Sequence, residues 1–110
     1  MRRSVLLAAA LFLGAAAPAL ADGDPRAGWR LAGGQCAVCH GNDGIALQPD
    51  APHLAGQPAI YVNAQLRAFR EEARRNEQMN VVARNLTDAQ IADLAAWYAS
   101  IQVEATVPGR

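Results

Sequence analysis

The sequence predicts an all-α protein, a small fold of three principal helices and one long irregular loop. Three segments carry helix-start residues or apolar residues at helical spacing. No segment shows the alternation of apolar and polar residues that would predict a strand. The stretch between residues 41 and 57 is rich in Gly, Asn, Asp and Pro and has neither period. We therefore expect helices on both sides of this loop.

Residues 1–21 have the layout of a secretory signal peptide. A basic start is followed by an apolar run, Val5–Ala17, and by the small-residue ending Ala19–Ala21. This run is shorter than the roughly 20 residues that a membrane-spanning helix needs, so an uncleaved membrane anchor is the less favoured alternative. We expect cleavage after Ala21 and one exported domain over residues 22–110.

The composition of this domain excludes one class of partner. Removing 21 of the 110 residues leaves 89, with eight arginines against ten acidic residues and no lysine. A formal charge of −2 is unlike the clustered basic excess of a nucleic-acid-binding protein. A domain of this size is close to the lower limit at which an apolar core alone stabilises a fold, so we expect an additional stabilising element.

The first helix is expected to begin at Pro25 and to continue to about Cys39. Asp24 is a suitable N-cap, and proline is well tolerated at the first helical position. Gly33 and Gly34 weaken the helix by roughly 1 kcal/mol each relative to alanine, so packing must support it.

The second helix is expected to begin at Pro58, with Val62, Leu66, Phe69 and Ala73 on one face. Its charged residues predict a solvated face, with a docking patch as the alternative; they are Arg67, Arg70, Glu71, Glu72 and Arg74.

The third helix is expected to begin at Thr87, which has capping-box spacing to Gln90. Its apolar stripe is bordered by Trp97 and consists of Ile91, Leu94, Ala95, Tyr98 and Ile101. A polar link that contains Met79 connects the second and third helices.

The segment Cys36-Ala-Val-Cys39-His40 has the spacing of covalent c-type haem attachment. In such a site the two sulfurs bind the porphyrin and the adjacent histidine becomes an axial iron ligand. A redox-active dithiol would need a βαβ surrounding, which this sequence does not predict. A zinc site would need both Cys39 and His40, which are neighbours, to reach one ion together with His53. A plain disulfide at this separation would be strained.

A haem with a histidine ligand has a second axial position. Met79 is the only methionine beyond the signal segment, and no apolar period explains it, so Met79 is the favoured ligand. His53 and an open site are the alternatives.

Three segments of the chain resemble class I cytochromes c, most closely the bacterial cytochrome c-4 and c-553 type domains. They are "CAVCHGNDG", "PHLAGQPAIYVNAQLRAF" and "MNVVARNLTDAQIADLAAWYAS", and the resemblance covers roughly residues 28–101. It implies that Cys36 and Cys39 anchor one haem c and that His40 and Met79 are its axial ligands. It also implies that the carbonyl of Pro52 accepts a hydrogen bond from His40.

The resemblance further implies that Gly28 lies where the first helix crosses the last, opposite Leu94, Trp97 and Tyr98. Cytochrome c-4 proper has two haem domains, whereas this chain has one motif. Members of the family often carry a glycine before the methionine, where this chain reads "FREEARRNEQM".

The function that follows is a periplasmic monohaem electron carrier, which is not itself an enzyme and is expected to be a monomer. Its partners would be a reductase and an oxidase or dehydrogenase, with contact to membranes only through them. One alternative is a haem c electron-transfer subunit of a periplasmic dehydrogenase complex. Another is a catalytic or gas-sensing haem protein with an open ligand position. The near-neutral charge predicts weak electrostatic steering and a small apolar docking patch.

Overall fold

The computed structural model describes residues 22–110 together with Gly14, so the expected signal peptide lies outside the described residues. In the described part there are five helices and no strand, which confirms the all-α prediction. The helices are α1 (Pro25–Gln35), α2 (Ala37–His40), α3 (Ala59–Arg70), α4 (Glu77–Ala83) and α5 (Asp88–Ser100). Not one of these helices has the length and apolarity required to cross a membrane.

The first predicted helix is divided into α1 and α2 at Cys36. The side chain of Asp24 accepts a hydrogen bond of 2.9 Å from the N–H of Arg26, as expected for an N-cap. Cys36 donates its N–H to Ala32 at 2.8 Å, and its carbonyl accepts the N–H of His40 at 2.9 Å. Helical hydrogen bonding therefore continues almost without interruption into the Cys-x-x-Cys-His segment.

Helices α1 and α5 cross at Gly28, as the resemblance implied. Gly28 is buried, and a Cβ atom there would overlap the backbone carbonyl of Asp93 and lie 2.8 Å from Cβ of Trp97. Asp93 also accepts the N–H of Asp24 at 2.8 Å, which ties the start of α1 to α5. The absence of a side chain at Gly28 allows the two backbones to touch.

Helix α3 begins at Ala59, directly after Pro58, and ends at Arg70. Val62 and Phe69 are buried on its inner face. The expectation that Ala73 continues this face was wrong, since Ala73 lies beyond the helix and is exposed. The chain leaves α3 through Glu72, which has a φ of 59° and donates its N–H to Phe69 at 3.2 Å. Glu72 thus adopts the left-handed conformation that glycine usually supplies at a helix end.

The charged face of α3 is in part a connection to α5. Arg67 and Arg70 both contact the carboxylate of Asp88, at 3.0 and 2.7 Å. Arg70 also donates to the carbonyl of Leu86 at 3.1 Å. The hydrogen bond from Arg70 lowers the pKa of Asp88 below its ordinary value.

The predicted polar link that contains Met79 forms a short helix, α4. Asn76 is its N-cap, and the Asn76 side chain accepts the N–H of Met79 at 2.9 Å. An asparagine directly before the first residue of a helix is a start signal, and the sequence contains it here.

Helix α5 begins with the predicted capping box. Gln90 donates its N–H to the hydroxyl of Thr87 at 3.1 Å, and the Gln90 side chain accepts the N–H of Thr87 at 2.9 Å. The stripe on α5 forms the centre of the core, with four buried residues: Ile91, Leu94, Ala95 and Tyr98.

The loop between residues 41 and 58 folds back on itself without forming helix or strand. Its two arms meet where Gly44 accepts the N–H of Leu54 at 2.8 Å. Its end is attached to α5, because Gly56 donates its N–H to the carbonyl of Tyr98 at 2.9 Å. The loop therefore covers one side of the helices rather than extending into solvent.

Candidate functional site

A cavity of about 850 Å³ lies between α2, the loop, α3 and α4. All five residues that the sequence analysis proposed for the site line this cavity: Cys36, Cys39, His40, Pro52 and Met79. Its volume is within the range of about 300–1,000 Å³ that is usual for small-molecule and cofactor sites.

Much of the cavity wall is apolar. The core helices and the loop contribute Val38, Leu54, Val62, Leu66, Phe69, Val82, Leu86 and Leu94. A wall of this kind suits a large, flat, apolar ligand, because contact with the ligand removes these side chains from water.

His40 is buried, with 7% of its surface exposed, at the C-terminal end of α2. Its Nδ1 atom lies 2.8 Å from the carbonyl oxygen of Pro52. A carbonyl can only accept, so Nδ1 carries the proton and Nε2 keeps its lone pair. Metal-ligating histidines are oriented in this way, with the second ring nitrogen donating to a carbonyl or carboxylate.

Cys36 and Cys39 are both free thiols. Cys36 is the residue directly before α2, and Cys39 lies within the single turn of this helix. Burial raises the pKa of the Cys36 thiol, and a contact with the Tyr98 hydroxyl opposes this in part. Redox-active dithiols have a lowered thiol pKa. The environment of Cys36 is therefore unlike that of a thioredoxin-type site.

His53 lines the cavity but is exposed and held by the loop. Its Nδ1 accepts the N–H of Ala46 at 2.8 Å, so in the neutral ring the proton sits on Nε2. Binding of iron at Nε2 would require this hydrogen bond to be given up or the ring to lose its proton. His53 is therefore a weaker candidate than Met79 for the second axial position.

Met79 lies in the first turn of α4, half-buried and in contact with the hydrophobic core. It lines the same cavity as His40, although 39 positions separate the two residues in the chain. The structure thus brings an imidazole and a thioether to one cavity.

Tyr98 is a member of the cavity wall that the sequence analysis placed only in the core. It is 2% exposed, and its hydroxyl is buried beside the Cys36 thiol with no oxygen or nitrogen hydrogen-bond partner in the described part of the chain. Burial raises the pKa of Tyr98, as does the neighbouring Cys36 thiol. A thiol is a weak hydrogen-bond partner, so this buried hydroxyl points to a stronger acceptor supplied by a bound group.

This donor set fits a covalently attached haem. Two thiols at Cys-x-x-Cys spacing, an adjacent imidazole with its orientation held and a thioether meet in one apolar cavity. Within residues 22–110, no group of three or more His, Cys, Asp or Glu side chains is placed to hold a metal ion. The zinc alternative therefore has no donor cluster in the described part of the chain.

Comparison with known proteins identifies the family of the chain. A sequence model of the family described as Cytochrome c matches residues 25–102. Cytochrome c4 of Thiocapsa roseopersicina is 49% identical over 86 residues, which are 78% of this chain and 43% of that protein. The solved structure of Acidithiobacillus ferrooxidans cytochrome c4 superposes with a TM-score of 0.66 at 34% identity, over 73% of this chain and 51% of that chain.

A further relative, from Stutzerimonas stutzeri, is named as a thiosulfate dehydrogenase electron acceptor. It is 34% identical over 79 residues, which are 69% of this chain and 37% of that protein. The chain thus spans about half or less of the length of these relatives.

Proposed function

Because this chain belongs to the cytochrome c family, with its class I fold and covalently bound haem c, we propose that it carries single electrons between redox proteins of the periplasm. We further propose that Cys36 and Cys39 anchor one haem and that His40 and Met79 are its axial ligands. The observation that carries this proposal is the shared cavity, which has the Pro52-bound imidazole of His40 and the thioether of Met79 in its lining.

Bound haem supplies an iron that takes up and releases one electron. His40 has the role of a fixed nitrogen donor, since the Pro52 carbonyl holds its ring orientation and its tautomer. Met79 has the role of a soft sulfur donor, which raises the reduction potential. The apolar wall supports the same effect, because burial disfavours the additional positive charge of ferric iron.

If His40 and Met79 both held the iron, no coordination site would be left for a substrate. The arrangement therefore favours electron transfer over catalysis or gas binding. The test is the optical spectrum of the purified protein in both redox states, with and without carbon monoxide. We expect low-spin spectra that carbon monoxide does not change, and a high-spin spectrum or ready binding of carbon monoxide would contradict the ligand pair.

The periplasmic location depends on the signal peptide proposed for residues 1–21. Mass spectrometry of the protein isolated from the periplasmic fraction tests it. We expect a mature chain beginning at Asp22 with one haem added, whereas an intact Met1 would contradict cleavage.

A second candidate function is that of an electron-transfer subunit or dedicated acceptor of a periplasmic dehydrogenase. The similarity to a thiosulfate dehydrogenase electron acceptor favours it. Size-exclusion chromatography of the untagged protein from periplasmic extract separates the two candidates. A haem-containing peak at the monomer position supports the free carrier, and co-elution with a larger oxidoreductase supports the subunit.

A further inference from the structure

The segment between α3 and α4, residues 71–76, determines the position of Met79. Every residue from 71 to 78 is exposed, so burial does little to hold this segment in place. It contains no glycine, and Glu72 adopts a left-handed conformation with a φ of 59°. Such a conformation is unfavourable for a residue with a side chain, so other interactions must maintain it.

The side-chain amide of Asn80, the residue after Met79, supplies three such interactions, beside the hydrogen bonds of Arg74 to Ala68 and Gln65. Its Nδ2 atom donates to the carbonyls of Phe69 and Arg74, both at 2.8 Å. Its Oδ1 atom accepts the N–H of Asn76 at 2.9 Å. One half-buried amide thus connects the last turn of α3, the linking segment and the start of α4.

Asn76 takes part in a second hydrogen bond at the start of α4. While Asn80 accepts the N–H of Asn76, the Asn76 side chain accepts the N–H of Met79 at 2.9 Å. The two asparagines therefore form a reciprocal pair around the first turn of α4, similar in logic to a capping box. Both protons of the Asn80 amide donate hydrogen bonds and its oxygen accepts one, so a residue of another type cannot make all three.

We propose that Asn80 is the positioning residue for the axial methionine: its amide holds the segment 71–76 in the one conformation that keeps the Met79 sulfur directed into the cavity. This inference rests on the proposed role of Met79. Without Asn80 the helices would remain, but the Met79 segment would exchange between attached and detached conformations. A ligand from solution would then compete more successfully for the iron, since its apparent affinity follows the population of the detached state.

The experiment is a titration of the ferric haem protein with imidazole, followed by absorption spectroscopy. We expect Asn80→Ala to bind imidazole about tenfold or more tightly than the wild type, because three hydrogen bonds are lost together. Asn80→Asp has almost the same shape but no N–H groups for the two carbonyls, and we expect a change in the same direction. The weak long-wavelength band of sulfur-ligated ferric haem should decrease in parallel.

Asn63→Ala is the matched control. Asn63 is also half-buried and accepts a hydrogen bond of 2.8 Å from Arg67, but it lies within α3 and does not line the cavity. Its loss should lower the thermal stability without changing imidazole affinity. Thermal unfolding of every variant, followed by circular dichroism, ensures that the titrations compare folded proteins.

Two results would overturn the inference: wild-type imidazole affinity in both Asn80 variants, or an equal increase in Asn63→Ala. Met79→Ala is the reference for the proposed function. If it binds imidazole no more tightly than the wild type, Met79 is not the ligand and both proposals fail. If it binds imidazole tightly while the Asn80 variants do not, only the role of Asn80 fails.

Discussion

The Nδ1 atom of His40 and the carbonyl oxygen of Pro52 are 2.8 Å apart, which links the end of α2 to the long loop. This contact decides which nitrogen of the ring is available, because the carbonyl requires the proton on Nδ1. His53, one residue further along the loop, has the opposite arrangement, with Nδ1 accepting the N–H of Ala46. The same loop therefore leaves Nε2 of His40 free for the proposed bond to iron, whereas it engages Nδ1 of His53 in its own structure.

Replacement of Met79 separates the two candidate ligands. Met79→Ala should keep its covalent haem but lose low-spin character, bind carbon monoxide and show a lower reduction potential, since a harder donor replaces sulfur. Absorption spectra and redox titration provide the measurement. His53→Ala is the control, with an expected wild-type spectrum and potential, and a low-spin spectrum in Met79→Ala would reject Met79 as the ligand.

The two cysteines should be required for both cofactor retention and folding. In Cys36→Ala or Cys39→Ala we expect loss of part or all of the covalent haem, because each sulfur supplies one anchor. The mature chain is small, and the large cavity would lose the group that completes its core. Pyridine haem spectra and circular dichroism measure the two effects, and a heat-stable helical protein without haem would argue against this role in the core.

The crossing of α1 and α5 should not tolerate a side chain at Gly28. Gly28→Ala places a methyl group against the Asp93 carbonyl and Trp97, so we expect destabilisation of roughly 1–3 kcal/mol. Denaturant unfolding of the haem protein is the measurement.

Gly33→Ala is the matched control in the same helix. A Cβ atom at Gly33 meets nothing within 4 Å, and the position is exposed. We expect this change to stabilise the protein by roughly 0.5–1 kcal/mol, because alanine favours the helix. Equal effects of the two substitutions would show that helix propensity, rather than close packing, determines the result at Gly28.

The contact of Asp88 with Arg67 and Arg70 should make a pH-dependent contribution to stability. The pKa of Asp88 is lowered in the folded state, so the contribution is present above the ordinary pKa of an aspartate, about 4, and is lost as the pH falls through the folded-state value. The wild type should have a higher melting temperature than Asp88→Asn near pH 6, and the difference should shrink as the pH falls below about 4. Asp22→Asn is a control of the same charge change at an exposed residue. A difference that persists unchanged in acid would rule out ionisation of Asp88 as its cause.

The sequence alone determined the cofactor chemistry and the starts of the three principal helices. Cys36, Cys39 and His40 are close in the chain, so their spacing already defines the attachment motif whatever surrounds it. The cap at Asp24 and the capping box at Thr87 are likewise local, because each depends on backbone groups within a few residues. Apolar periodicity was sufficient to identify the buried face of α5, because residues three and four positions apart lie on the same face of a helix.

Only the tertiary structure decided how distant residues meet. The end of α3 at Arg70 depends on Glu72 and on an amide ten positions after that helix ends, which no local pattern contains. Met79 on α4 and His40 on α2 line one cavity only because the chain folds back on itself. The buried Tyr98 hydroxyl, which lacks an oxygen or nitrogen partner in the described part of the chain, is likewise recognisable only once its surroundings are known. Local spacing specifies which atoms are reactive, whereas burial and long-range hydrogen bonds determine which of them can act together.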